Sequence, residues 1–158
     1  MSPKVIIMAK ENSSRPGVLF WVISIALLLW GLGGISIYLA YFVESPGEFA
    51  ESAEAEVNRE AYAEYVANIP PWAVVVGVGA AVTRLLGALF LLLRRALARP
   101  LFIMSTALFL VAMYRAFVLA HVADVMSSAH IFVEVGFVAL SFFAVWFSHQ
   151  NKSKGILK

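Results

Sequence analysis

The chain has 158 residues, of which 61% are hydrophobic and 14% charged, with a net charge of +2 and no cysteine. Soluble domains run at about 45–50% apolar and about 25% charged, so the composition excludes an ordinary soluble fold and points to one membrane domain. The small charge argues against a nucleic-acid partner, and the absence of thiols rules out disulfides, thiolate nucleophiles and cysteine metal sites.

A spanning helix needs about 20 apolar residues. Four stretches qualify, at 17–43, 71–93, 100–122 and 128–148. The fold class expected is therefore all-α: a polytopic membrane protein built as a four-helix bundle, 1–158 as a single domain. The first span is too long for the apolar region of a secretion signal and has no A-x-A cleavage site, so it is read as retained. Its length allows tilt without fixing an angle. Gly31, Gly33 and Gly34, between Trp30 and Tyr38, let another backbone approach, which makes Gly31 and Gly34 candidate packing positions.

The connection 44–70 is acidic, with Glu44, Glu48, Glu51, Glu54, Glu56, Glu60 and Glu64 against Arg59. Ser45-Pro46-Gly47-Glu48 reads as a helix start, with a capping serine, proline at the first position and glutamate three residues after the cap. Phe49, Ala53, Val57, Ala61 and Tyr65 recur at i+4 and give a weak apolar stripe. A short acidic amphipathic helix over the outer end of the bundle is expected, ended by Pro70-Pro71. Its glutamates read as a solvated face, or as a docking surface for a basic partner. Anionic lipid would repel it.

In the second span, Gly79, Thr83 and Gly87 form a small-residue packing face, and Arg84 adjoins it. At about 1.5 Å per residue, Arg84 lies roughly 2 Å to the cytoplasmic side of the span centre, and Arg115 and Glu134 each lie roughly 6 Å to the outer side of theirs. The third and fourth spans have a very short connection and should be antiparallel neighbours. A buried Arg115–Glu134 pair is expected, with Arg84 as third member or rival. Each such charge costs about 2.5–3.5 kcal/mol at a helix centre, so none should face lipid. Arginine keeps its proton and needs an anion, carbonyls or water. Two arginines against one glutamate leave a positive charge to be balanced.

The fourth span carries a polar stripe of Ser127, His130, Glu134, Ser141 and Ser148. His130 and Glu134, at i and i+4, are placed to share a proton. The stripe reads as a proton or solute path, or as an inward face whose serines bond across helices. His121, Asp124 and His130 raise a metal or haem reading, but their spacing fits no dedicated motif. Polar residues at helix ends account for them, and His149 reads as a cap of the fourth helix. No metal site and no cofactor are expected.

Basic residues cluster at Lys4, Lys10 and Arg15, at Arg94, Arg95 and Arg99, and at Lys152, Lys154 and Lys158. The positive-inside rule then puts both termini in the cytoplasm and the loop 44–70 in the periplasm, with Trp21, Trp72 and Trp146 near the interfaces.

Phe20-Trp21, Leu29-Trp30 followed by glycine, Tyr62 and Tyr65 before Pro71-Trp72, and Gly87 followed by a leucine run into Arg94-Arg95 resemble a group of small bacterial four-helix inner-membrane proteins labelled loosely "sugar transporter". The chain departs from that group at Trp30–Ile37, where members often carry polar residues, and at Arg84, where a small residue is expected.

Three functions suit these features. The first is a non-catalytic accessory or interaction subunit of a larger bacterial membrane complex, its partners being the lipid bilayer and either foreign subunits or copies of itself. This one is preferred, since size, acidic loop, glycine faces and the lack of a catalytic motif all suit it. The second is a small-solute or proton-coupled transporter, homo-oligomeric, using Arg84, Arg115 and Glu134. The third is a haem or metal carrier using His121 and His130.

Overall fold

The computed structural model describes residues 16–48 and 59–158. The main helices are α1 (Val18–Val43), α2 (Arg59–Ala67), α3 (Pro71–Leu92), α4 (Ala98–Tyr114) and α5 (Ser128–Ser153). The described residues contain no strand. The helices α1, α3, α4 with the turn that continues it, and α5 are long and apolar enough to cross a membrane. Large apolar side chains such as Leu29, Val75, Val111 and Phe132 are exposed on all four, which is how a bundle sits in lipid. The chain is a four-helix membrane protein.

Local chemistry sets the ends of these helices. Pro70 is extended at the N-cap of α3 and Pro71 takes its first position, where no N–H is needed. Ser127 caps α5, its Oγ accepting from His130 N–H at 3.3 Å. Past α1, Ser45 and Glu48 close the expected capping box: Ser45 N–H and Oγ–H donate to Glu48 Oε2 at 2.9 and 2.8 Å. The next ten residues, 49–58, lie outside the described residues, and with them Glu51, Glu54 and Glu56.

Two expected spans end elsewhere. The third leaves α geometry at Tyr114 and winds through one π turn, Arg115–Leu119, closed by Ala120 N–H donating to Arg115 O at 3.0 Å. His121 then turns the chain with φ of 48° into a 3₁₀ turn at Val122–Asp124. The fourth continues past Ser148 to Ser153, so His149 lies inside the helix and Lys154 is the C-cap. There Gly155 supplies φ of 71°, and Ile156 N–H reaches back to Asn151 O at 3.0 Å. This is the glycine-terminated helix end that buries the residue after the glycine. Ile156 and Leu157 are accordingly buried.

α3 sits between α1 and α4, and α5 packs on α4. The glycines make these approaches possible. A Cβ on Gly31 would lie 3.1 Å from Leu85 Cα, so α1 and α3 meet backbone to backbone. On the other face of α3, a Cβ on Gly87 would lie 3.2 Å from the Phe102 ring and one on Gly79 3.3 Å from Leu108, which seats α4. Ser105 Oγ donates across that seam to Ala80 O at 2.8 Å. Between α1 and α5 the contact is made by rings, Phe20 on Phe147 at 6.0 Å and Trp30 on Phe137 at 6.1 Å.

Candidate functional site

Among the cavities of the described residues, three share Tyr38 and Glu134 in their walls. The largest, about 280 Å³, is bounded by all four spans, through Trp30, Gly34 and Tyr38 of α1, Arg84 of α3, Phe109 of α4, and Glu134 and Phe137 of α5. The other two, about 190 and 200 Å³, reach toward α2 and share Tyr41 and Tyr65, with Arg115 on one and Tyr62 on the other.

Arg84 is only 6% exposed. Its guanidinium carbon lies 4.0 Å from the centre of the Trp30 ring and 5.0 Å from that of Phe109. Cation–π contacts of this kind contribute about 2 kcal/mol or more when desolvated, which offsets part of the burial cost but uses none of the N–H donors. Nε is buried without a hydrogen-bond partner. Gly34 leaves room beside it, since a Cβ there would be 3.6 Å from Nη1.

Arg115, at the first position of the π turn, is held differently. Nη1 donates to Tyr65 Oη at 2.9 Å and Nη2 to Asn68 O at 3.4 Å, and the guanidinium carbon lies 5.0 Å from the Tyr65 ring centre. The Arg115–Glu134 ion pair expected from depth is therefore not formed. The two residues line the same cavity, but neutral oxygens from α2 and the residue following it take the arginine. Glu134 instead has His130 as its ionic neighbour, with Oε1 3.9 Å from Nε2, the i, i+4 pair read from the sequence. The four charge-network residues thus divide into a clasp at Arg115 and a group around Glu134, with His130 3.9 Å away and Arg84, on its aromatic rings, in electrostatic reach on the wall of the same cavity.

Burial pushes the phenols of Tyr65 and Tyr62 upward. At Tyr65 the Arg115 guanidinium acts against that, while at Tyr62 the neighbouring Tyr65 adds to it. Both stay neutral at ordinary pH and serve as hydroxyls.

The polar stripe of α5 is not a continuous path. Ser141 and Ser148 are buried in the bundle, but their hydroxyls return to their own helix, to Phe137 O and Val145 O, each at 2.8 Å. Thr106 of α4 likewise donates from Oγ1 to Phe102 O in its own helix at 2.8 Å, and that oxygen lies 3.4 Å from Ser141 O of α5. Thr83 bonds Gly79 O in its own helix at 2.7 Å. His121 is exposed at its turn and His130 half-buried, and no cluster of three metal-ligating side chains occurs among the described residues. Glu60 and Glu64 are exposed on α2.

Sequence reasoning missed Trp30, Tyr38 and Phe109 as site residues. Each reads as one more aromatic in an apolar helix. The available signal was an arginine near the middle of a span, which needs either an anion or aromatic faces. Comparison with family models, with curated proteins and with solved structures finds no match.

Proposed function

We propose that the chain is a small-solute carrier, working as a homo-oligomer, whose solute enters the bundle interior and sits beside Arg84. The observation that carries this reading is a buried cation, its Nε without a hydrogen-bond partner, on the wall of a cavity bounded by all four spans. A structural arginine would have its donors taken, as Arg115 does. Glu134, beside His130 and on the wall of these three chambers, is the group suited to couple solute to a proton. The setting that goes with this reading is a bacterial inner membrane with both termini in the cytoplasm, supported by the basic clusters. The test uses purified protein in vesicles loaded with a pH-sensitive dye. Solute-driven acidification is expected with the native chain and is expected to vanish in Glu134→Gln at unchanged thermal stability. Acidification at the native rate in that variant would remove Glu134 from the mechanism.

A second reading, the accessory subunit, has its own support. Gly33 of α1 and Gly136 of α5 have open space where a Cβ would stand, so a foreign helix has room to approach. Gentle extraction from native membranes followed by mass spectrometry separates the two readings. Stoichiometric foreign subunits favour the accessory role, and a homo-oligomer alone favours the carrier.

A further inference from the structure

We infer that the cavity beside Arg84 takes a small organic monocarboxylate with an apolar body, an assignment that rests on reading that cavity as a solute site. Trp30 and Phe109 lie against the cation at 4.0 and 5.0 Å, so its attraction to protein runs through ring faces. The planar fork of N–H donors matches the two oxygens of a carboxylate; Arg84 Nε is buried without a hydrogen-bond partner, and the residue lines the cavity.

Charge narrows the class. Arg84 and Arg115 stand against Glu134, and Arg115 is already served by the Tyr65 hydroxyl and the Asn68 carbonyl. With Glu134 ionised and His130 neutral, one monoanion brings the interior to neutrality, whereas a zwitterion or an uncharged sugar leaves the surplus and a dianion overshoots. Burying an uncompensated charge is the costliest of these outcomes. The walls narrow the class again. Trp30, Phe109, Phe137 and Ile37 offer apolar surface to the body of a ligand, which chloride or phosphate would leave uncovered. At about 280 Å³ the space is just below the roughly 300–1,000 Å³ of pockets for drug-sized molecules, so the body is of the size of one ring or a short branched chain.

The probe is benzoate, read by fluorescence. Replacing Trp21, Trp72 and Trp146 with phenylalanine leaves Trp30 as the sole tryptophan. Benzoate titrated into this protein in detergent at constant ionic strength is expected to give a saturable change in Trp30 emission. Arg84→Lys, which keeps the charge but loses the fork, is expected to weaken binding at least about tenfold. Gly34→Val, which narrows the space at Arg84 Nη1 without changing charge, is expected to weaken it as well and serves if the lysine variant does not fold. Native affinity in both variants, or no saturable response in the folded parent, overturns the assignment. So does a response to chloride, phosphate or free phenylalanine as strong as that to benzoate. Palmitate displacing benzoate at far lower concentration would give the site to a lipid carboxylate and overturn the small-solute class. Benzoate binding without flux in vesicles would keep the ligand class and remove the carrier. Solute flux with no benzoate response would keep the carrier and remove the ligand class.

Discussion

Tyr38 of α1 fills the space that Gly77 of α3 leaves empty: a Cβ at position 77 would overlap the Tyr38 hydroxyl and ring. Tyr38 also lines all three cavities. Gly77 therefore fixes the side chain at the point where the chambers meet. Gly77→Ala is expected to lower stability by about 1–3 kcal/mol through overpacking, measured by thermal denaturation in detergent. In the double variant with Tyr38→Ala the alanine at 77 should cost almost nothing, because its steric partner is gone. Additive losses in that cycle would refute the contact as the cause.

Arg84 makes the opposite case, a residue whose removal should not harm the fold. Replacing a buried charge with an apolar side chain of similar reach is often neutral or stabilising by about 1–4 kcal/mol; Arg84 Nε has no hydrogen-bond partner to strand, and Glu134, which loses a charged neighbour, keeps His130. Arg84→Leu is expected to melt at or above the native temperature while losing solute flux. A clear drop in melting temperature would make the cation–π contacts with Trp30 and Phe109 structural instead.

Two of the four spans were legible in the sequence to within about a residue, because proline, glycine and a run of apolar residues suffice to place them. The others depended on features with weak local signals. The third span ends early because a π turn at Arg115 and a left-handed His121 change its winding. The fourth runs on because His149 to Ser153 remain compatible with helix until Gly155 terminates it. For the site, spacing gave depth but not direction around each helix axis. It therefore put Arg115 beside Glu134, although Tyr65 and Asn68 reach the arginine first. The short pair His130–Glu134 was readable because i and i+4 share a face whatever the tertiary structure. Tyr38, Trp30 and Phe109 come together only through tertiary packing, and no local pattern encodes that.

The clasp between α2 and the bundle rests on the Tyr65 hydroxyl. Tyr65→Phe keeps the ring against the Arg115 guanidinium but removes the acceptor 2.9 Å from Nη1. For a partly exposed bond of this kind a loss of about 1 kcal/mol is expected, read as an approximately fivefold fall in amide-exchange protection across α2. Unchanged protection would show that Tyr62 and Val66, buried beneath α2, hold the helix without the clasp.

Glu48 sets the pH behaviour of the helix start that follows α1. The Ser45 backbone N–H, and then the Ser45 hydroxyl, hold its carboxyl below the usual carboxylate range. A depressed folded-state value means that the cap's contribution is complete above the ordinary carboxylate pKa. It is lost as pH falls through the lower folded value. Exchange protection at the Ser45 amide should therefore persist from neutral pH through the ordinary range and fade only below it. In Glu48→Ala it should be weak at every pH, and a native-like acid midpoint in that variant would assign the titration to another group.

The orientation is open to a direct chemical test because the chain has no cysteine of its own. Glu60 on α2 and Ser153 at the end of α5 are both exposed, so a single cysteine at either reports which side it faces. The basic residues Arg94, Arg95, Lys152 and Lys158 gather at the end where residues 156–158 fold back. There Lys158 N–H donates to Arg94 O at 2.8 Å and Arg94 Nε to Ile156 O at 3.2 Å. Moving this end across a membrane would carry the whole cluster with it, which the energetics of insertion oppose. An impermeant maleimide applied to intact spheroplasts is expected to label Glu60→Cys and to reach Ser153→Cys only after permeabilisation. The reverse pattern would place α2 in the cytoplasm and overturn the proposed topology.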